Sequence, residues 1–343
     1  MDSRRIYIEC SCTQRKHTGI ARTINKLIST IEECGVEVVK VEAPENIGGI
    51  RKFIYFNYTL PRLCKKQMRG SDVFLIPNNM GKFWRLPYKN TWVLMHDVIP
   101  LTPYGQYSLL KKQLYRYKTG QIRKAECIIT ISEYIKKCLI DSFEINPQRI
   151  KVLYWGAFTK VEYKKSEDTG EPYFLSIGTG EYRKKAEFLI NNWPQIYQNK
   201  YKLKLFGKEH KPGAHAALSR LIDQVGMRDF IELLGPISDE EMNYLYSQSC
   251  GLIFPSFEEG FGLPPIEALR CGCNVILPKT PINYELYGGV GLLYSLGDVE
   301  ELADCVKEAV SRGDSFKELN RKFSNRFSAD VFKNRVNKLF NKL

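Results

Sequence analysis

Two glutamates, Glu259 and Glu267, flank a glycine-rich loop in the stretch F-P-S-F-E-E-G-F-G-L-P-P-I-E-A-L-R-C-G-C, which begins at Phe254 and ends at Cys273. Ionised carboxylates accept hydrogen bonds from hydroxyl groups and repel phosphate. The apolar run before Pro255 reads as a buried strand. Pro264 and Pro265 open a short helix, since proline suits the first helical positions. Glu267 is expected in the first turn of that helix, and Gly272 near its end. Strand, glycine loop and helix N-terminus together make an anion site, because free backbone N–H groups and the positive helix end point outward. With carboxylates added, the stretch suits a ligand that carries both phosphates and sugar hydroxyls.

A second passage has related chemistry. Tyr173-Phe174-Leu175-Ser176-Ile177 predicts a strand. Gly178-Thr179-Gly180-Glu181-Tyr182-Arg183-Lys184-Lys185 follows, then a helix from about Ala186. Arg183 and Lys184 set positive charge beside a helix N-terminus, which suits phosphate; the G-x-G alone is weak. In the N-terminal half, the predicted strand Thr91-Trp92-Val93-Leu94-Met95 ends in His96-Asp97. Ligands of open α/β sheets sit beyond the carboxyl ends of strands, so His96 is placed like a site residue. A structural histidine is the alternative.

The elements that must carry these residues alternate. Ile6 to Cys10 predicts a strand, and a helix follows with Ile20, Ile24, Leu27, Ile28 and Ile31 on one face. Val36 to Val41 completes a βαβ unit, so a parallel sheet is expected. Further strands are predicted at Asp72 to Pro77, Cys127 to Ile131 and Lys151 to Tyr154. Residues 159–172 are polar with Gly and Pro and read as an interdomain linker. The pattern then restarts, with strands at Lys202 to Gly207, Phe230 to Gly235 and Asn274 to Leu277. Ser238 with Glu241 forms a capping-box signature. Closing helices are expected at Val299 to Val310 and Ser328 to Leu343. The fold class is therefore α/β, with two tandem Rossmann-like domains and a ligand cleft between them. Residues 1–162 form the N-terminal Rossmann-like domain and 163–327 the C-terminal one. Residues 328–343 form a C-terminal helix that can pack back on the first domain.

Bulk properties narrow the class. The 343 residues suffice for two full cores. No apolar run approaches the roughly 18 residues of a membrane span, and the N-terminus lacks a signal-peptide core. A cytoplasmic protein is expected, with a peripheral position at the inner face of the membrane as an option. Ten cysteines are scattered, and Cys10/Cys12 and Cys271/Cys273 are C-x-C pairs rather than the C-x-x-C of zinc ribbons. Reduced, buried thiols and no metal site follow. Residues 1–165 hold 29 Lys+Arg against 14 Asp+Glu, while 166–343 hold 22 against 24. The basic first half fits an anionic partner: nucleic acid, an acidic membrane or a phosphorylated acceptor. The predicted helix from Leu109 to Lys124 is basic and amphipathic. It can lie on an anionic membrane or present a solvated face, and the sequence leaves both open.

Taken in order, these residues resemble retaining glycosyltransferases of GT-B fold, family-four type. Leu233 to Ser247 (L-L-G-P-I-S-D-E-E-M-N-Y-L-Y-S) and Phe254 to Leu269 resemble the nucleotide-sugar half, and Glu259 and Glu267 meet its E-x7-E signature. Gly178 to Lys185 resembles the G-T-x-x-x-R-K-N phosphate loop, and the similarity continues through Pro281 to Leu293. In the first half Thr18 to Arg22, His96-Asp97 and Ile129 to Glu133 fit the same pattern. Three departures stand out: Lys185 in place of Asn, Thr179 where some members carry Arg, and Tyr154-Trp155-Gly156 in place of the usual N-G.

The resemblance implies roles. Arg183 and Lys184 would neutralise the donor diphosphate, with Gly178 and Thr179 in the same loop. Glu267 would take the ribose hydroxyls. Glu259 would take those of the transferred sugar, with the backbone N–H groups around Phe261, Gly262 and Leu263. His96 would contact the sugar or support the reacting centre. Gly19 would allow close approach of donor phosphate or acceptor, and Asp97 lies beside them on the acceptor side. The implied activity is metal-independent transfer of a hexose or deoxyhexose, with retention, to a glycan or polyprenyl-diphosphate-linked acceptor in cell-surface polysaccharide synthesis. Mannose from GDP-mannose is the first expectation for the donor. No cofactor is expected, the nucleotide-diphosphate sugar being a co-substrate. Two other readings stand beside it: another two-Rossmann enzyme (epimerase or hydrolase), and a basic nucleic-acid-binding protein.

Overall fold

The computed structural model describes residues 4–13, 19–44, 47–102, 107–158, 171–179, 181–197, 201–209, 211–313 and 315–341, with backbone alone at Thr179 and Tyr197. His17, Thr18, Gly180 and most of the expected linker lie outside the described residues. The chain divides into two compact units. Unit 1 is Met1–Gly156 with Ala329–Leu343, and unit 2 is Ala157–Ser328. The first boundary falls ahead of the expected 162/163.

Unit 1 runs β1 (Ile6–Glu9), α1 (Gly19–Glu33), β2 (Val38–Val41), α2 (Gly49–Ile54), a π-helical turn (Tyr55–Thr59), α3 (Leu60–Lys65), β3 (Val73–Ile76), β4 (Thr91–Met95), α4 (Leu109–Gly120), β5 (Cys127–Thr130), α5 (Glu133–Phe143) and β6 (Ile150–Val152). The six strands form one parallel sheet in the order β2-β1-β3-β4-β5-β6. Every residue of β1, β3, β4 and β5 is buried. This is why these strands read as continuous apolar runs rather than alternating ones. Ile24, Leu27, Ile28 and Ile31 of α1 are buried as expected, but Ile20, in the first turn, is exposed. The Ser132 hydroxyl accepts from Ile135 N–H and starts α5 directly after β5.

Unit 2 runs β7 (Tyr173–Thr179), α6 (Ala186–Tyr197), β8 (Lys202–Glu209), α7 (Ala214–Gln224), β9 (Ile231–Gly235), α8 (Asp239–Gln248), β10 (Gly251–Ile253), α9 (Leu263–Arg270), β11 (Val275–Pro278), α10 (Pro281–Tyr287), β12 (Leu292–Tyr294), α11 (Val299–Arg312) and α12 (Ser315–Ser324). Its sheet is also parallel, in the order β12-β11-β10-β7-β8-β9. Phe174, Leu203, Leu205, Ile253 and Ile276 from the sheet pack with Leu189, Trp193, Leu302 and Val306 from α6 and α11 into one core. Ser238 accepts from Glu241 N–H and caps α8.

The last helix, α13 (Ala329–Phe340), groups with unit 1. Phe332 stacks on Trp155 at 5.4 Å, and Phe340 lies 5.6 Å from Trp92. Lys333 pairs with Glu33 of α1 at 3.2 Å. Trp155, one of the departures from the family pattern, is thus a core residue of unit 1.

Candidate active site

In unit 2 the direction of strand succession reverses between β7 and β10. The carboxyl ends flanking such a reversal form the crevice where open α/β sheets bind ligands. The loop after β7 carries Arg183 and Lys184; the loop after β10 carries Glu259. Both predicted motifs therefore open at one place because two parallel neighbours end there.

The loops are laced together. Arg183 Nη1 pairs with Glu259 Oε1 and also reaches Ser256 Oγ at 3.4 Å and the Glu258 carbonyl at 3.2 Å. Its other nitrogen, Nη2, pairs with Glu181 at 2.8 Å. Ser256 Oγ donates to Glu259 Oε1 at 2.8 Å, and Phe257 N–H donates to the Arg183 carbonyl at 3.3 Å. Burial opposes the charge on Arg183, but Glu259 and Glu181 outweigh it and raise the guanidinium pKa above its ordinary value. Lys184 lies 3.8 Å from Glu181. Glu181 was not among the expected site residues, and it shares both cations with any bound anion.

Backbone geometry sets the lysines. Gly178 has φ of +102°, and a Cβ there would stand 2.0 Å from Lys184 Cδ. The lysine side chain crosses the space that only glycine leaves open. Lys185 sits in the left-handed region, with φ of +51°. Asn tolerates that region better than most residues, so the family's usual Asn is intelligible here. Its ammonium lies 4.2 Å from the Tyr182 ring centroid and 5.2 Å from that of Phe257.

The second carboxylate enters through α9. Gly262 precedes the helix with φ of +80°, and no side chain caps it. Pro264 and Pro265 have no N–H, so the first turn offers fewer donors than an ordinary helix end. Gly262 and Leu263 retain theirs. Glu267 is in the second turn rather than the first, since α9 starts at Leu263 and has no acidic residue in its first turn. Phe261 is buried edge-on against Phe327 at 5.7 Å, leaving its backbone for the loop.

The Tyr287 hydroxyl, at the end of α10, donates to the Gly262 carbonyl and approaches that of Phe261 at 3.4 Å. Burial first, then the Glu259 and Glu267 charges, push its pKa well above the ordinary value, so it remains a donor. Tyr246 of α8 is fully buried and is also shifted up by burial and by Glu267. Its hydroxyl has no hydrogen-bond partner among the described residues. Neither tyrosine was anticipated, because both come from helices distant in sequence. Glu181 was legible, lying inside the phosphate-loop motif.

In unit 1, His96 is buried at the end of β4. Its Nε2 lies 2.7 Å from the Pro77 carbonyl, and its backbone N–H donates to Asn79 Oδ1 at 2.8 Å. Its ring stacks on Trp155 at 5.8 Å and 15°. Burial lowers its pKa to about 4, partly offset by the Pro77 carbonyl. The ring is neutral at pH 7, and since a carbonyl only accepts, Nε2 carries the proton and Nδ1 is left as acceptor. Asp97 accepts from Ile99 N–H at 3.3 Å, and its carbonyl accepts from the Tyr115 hydroxyl at 3.0 Å. Gly19 is exposed at the start of α1, and a Cβ there would meet nothing within 4 Å. The strand succession of unit 1 reverses between β1 and β3. A cavity of about 500 Å³ opens there, lined by Glu9, Ser11, Asn79, Lys52, Lys82 and Lys118 among others. Glu9 is buried, its pKa raised by burial, and accepts from Ser11 N–H at 2.8 Å. All ten cysteines are free; six are buried as expected, while Cys12, Cys34, Cys138 and Cys250 are only half-buried. Among the described residues no group of three or more His, Cys, Asp or Glu is arranged to hold a metal ion, and no helix is long and apolar enough to cross a membrane.

Residues 158–327, nearly all of unit 2, match the family described as glycosyl transferases group 1. The O-antigen chain mannosyltransferase RfbU of Salmonella typhimurium is 23% identical over 249 residues, covering 72% of this chain and 68% of that protein. The serotype-specific mannosyltransferase WbdA of Escherichia coli is 26% identical over 251 residues, covering 68% of this chain. The match spans only 31% of WbdA. The crystal structure of Anabaena HepE in complex with UDP and glucose superposes with a TM-score of 0.77 at 15% identity, over 99% of this chain and 100% of that one. The fold, the family match and the homologues agree: unit 2 is a glycosyl transferases group 1 domain, in a chain with the fold of GT-B glycosyltransferases.

Proposed function

We propose that this glycosyltransferase moves a hexose, mannose from GDP-mannose first, to a glycan or polyprenyl-diphosphate-linked acceptor in cell-surface polysaccharide synthesis. The observation that carries the reading is the meeting of Arg183 and Glu259 at the β7/β10 reversal. Arg183 and Lys184 take the donor diphosphate and stabilise the charge that grows on it as the glycosidic bond breaks. Glu259 takes hydroxyls of the transferred sugar, helped by backbone N–H groups of Gly262 and Leu263. Glu267, one turn into α9, takes the ribose. Gly178 and Thr179 give the diphosphate its backbone approach.

Transfer proceeds with retention and without a metal ion, the leaving phosphate accepting the acceptor's proton. Neutral His96 offers Nδ1 to a hydroxyl, and Asp97 and Gly19 lie on the acceptor side. The cavity of unit 1, with Glu9 and three lysines, suits a hydroxylated and phosphorylated acceptor. The mannosyltransferase names of RfbU and WbdA favour mannose, and HepE's UDP and glucose supply the competing donor. A thermal-shift panel tests the donor: GDP-mannose should raise the melting temperature more than UDP-glucose, since a tighter ligand stabilises more by mass action. A larger shift with UDP-glucose would reassign the nucleotide. The anomeric configuration of the product, read by NMR, tests retention, and activity in EDTA tests metal independence.

A further inference from the structure

Helix α4 is turned inside out. Thr119 is its one buried residue, and Lys112, Tyr115 and Lys118 are half-buried against the protein. Leu110, Leu114 and Tyr117, spaced i, i+4, i+7, are exposed, with Leu110 at 76% and its neighbour Leu109 at 79%. An ordinary surface helix does the opposite. Helix α2 has no buried residue at all, and its Ile50 is 74% exposed.

These are parts of one surface. Phe53 of α2 meets Trp84 at 5.7 Å, and Trp84 meets Tyr117 of α4 at 6.3 Å. Arg85 covers the Tyr58 ring at 5.4 Å. A contiguous apolar patch of this kind marks an interaction site. Its charge identifies the partner. Residues 49–71, 73–96 and 107–125 contain fifteen lysines and arginines and no Asp or Glu. Exposed cations on the patch and its rim include Arg51, Arg62, Arg85, Lys111 and Arg116. A second copy of the same face would set like charges against each other. Nucleic acid would match the charge but leave the leucines without a partner. An anionic bilayer matches both, with the aliphatic side chains in the headgroup boundary, Trp84 and the tyrosines at the interface and the cations at the lipid phosphates.

We propose that the face built by α2, the Tyr55–Thr59 turn, Trp84-Arg85 and α4 docks unit 1 on an anionic lipid bilayer. Lys52 of α2 and Lys118 of α4 also line the unit 1 cavity, so docking brings that cavity beside the lipid headgroups. The surface stands independently of the sugar-transfer reading.

The test is co-sedimentation of the full chain with vesicles of phosphatidylglycerol and phosphatidylcholine, or of phosphatidylcholine alone. The parent should sediment with the anionic vesicles at 0.1 M NaCl and be released by 1 M NaCl. Leu110→Ser with Leu114→Ser, and separately Lys111→Glu with Arg116→Glu, should each weaken binding at least tenfold. Circular dichroism checks that both variants remain folded, and both should keep the parent's thermal shift with a nucleotide sugar. Equal sedimentation with neutral vesicles, or variants that bind like the parent, overturns the proposal. So does a dimer, seen by light scattering, that the leucine variant dissociates, because the face would then belong to a second copy.

Discussion

The guanidinium of Arg183 is held between two carboxylates, and one of them, Glu259, comes from the other loop of the strand reversal. The pair has three effects at once: it joins the loops, orients Glu259 and keeps Arg183 charged. A ligand that binds here must share these groups, phosphate competing with Glu259 for the cation and a hydroxyl competing with Arg183 for the carboxylate.

The pair should therefore behave as a unit. Arg183→Ala and Glu259→Ala should each lower kcat/KM by about 10²–10³, the cost of removing one preorganised charged group. The double variant should lose little more than either single one. Steady-state kinetics on the three variants checks this; fully additive losses would mean that the two residues act separately.

The glycines divide sharply. Gly178→Ala should destabilise the fold by about 1–3 kcal/mol, because it strains the backbone at positive φ and drives Lys184 out of place. Donor binding should fall with it. Gly19→Ala should stay within about 0.5 kcal/mol of the parent, since its Cβ meets open space. Urea unfolding with nucleotide-sugar titration compares the two.

Tyr287→Phe removes the donor that holds the Gly262 carbonyl. The expected cost is about 1 kcal/mol of stability, the usual size of a lost neutral hydrogen bond. The apparent KM for donor should rise with kcat less affected, because the loop proposed to hold the sugar loosens while Arg183 and Lys184 stay in place. A fall in kcat alone would place the tyrosine elsewhere in the reaction.

His96 makes stability depend on acid. Its folded pKa of about 4 lies below the ordinary 6.5. Between those values the unfolded chain binds a proton that the folded chain refuses. The contribution of the neutral ring is complete above 6.5 and is lost as pH falls toward 4. At ~1.4 kcal/mol per unit it amounts to about 3 kcal/mol. Urea midpoints at pH 7.5 and 4.5 should show the loss in the parent and much less of it in His96→Gln.

Much of this was legible because parallel strands are buried on both faces. β4, β7 and β10 announce themselves as apolar runs, and the residue types that follow each run mark the loops at their carboxyl ends. Arg183, Lys184, Glu259 and His96 were found that way. Glu267 was placed one turn too early, because the helix start was read from the prolines rather than from Leu263. Tyr287 was missed because a hydroxyl aimed at a distant loop leaves no local pattern, and Tyr246 because its nearness to Glu267 is a tertiary effect. The three-residue strand β12 is too short to show periodicity. Trp155 stood out only as a departure from the family pattern; its place between His96 and Phe332 depends on a helix nearly two hundred residues away. The inverted face of α4 was open in the sequence because amphipathicity does not say which side turns inward.

The central claim, that unit 2 binds a nucleotide sugar through Arg183, Lys184, Glu259 and Glu267, is tested most directly by calorimetric titration of GDP-mannose into the parent, Lys184→Ala and Glu259→Ala. The parent should bind saturably and one-to-one, and each folded variant should lose at least tenfold in affinity. Variants that remain folded and bind the donor as tightly as the parent would contradict it.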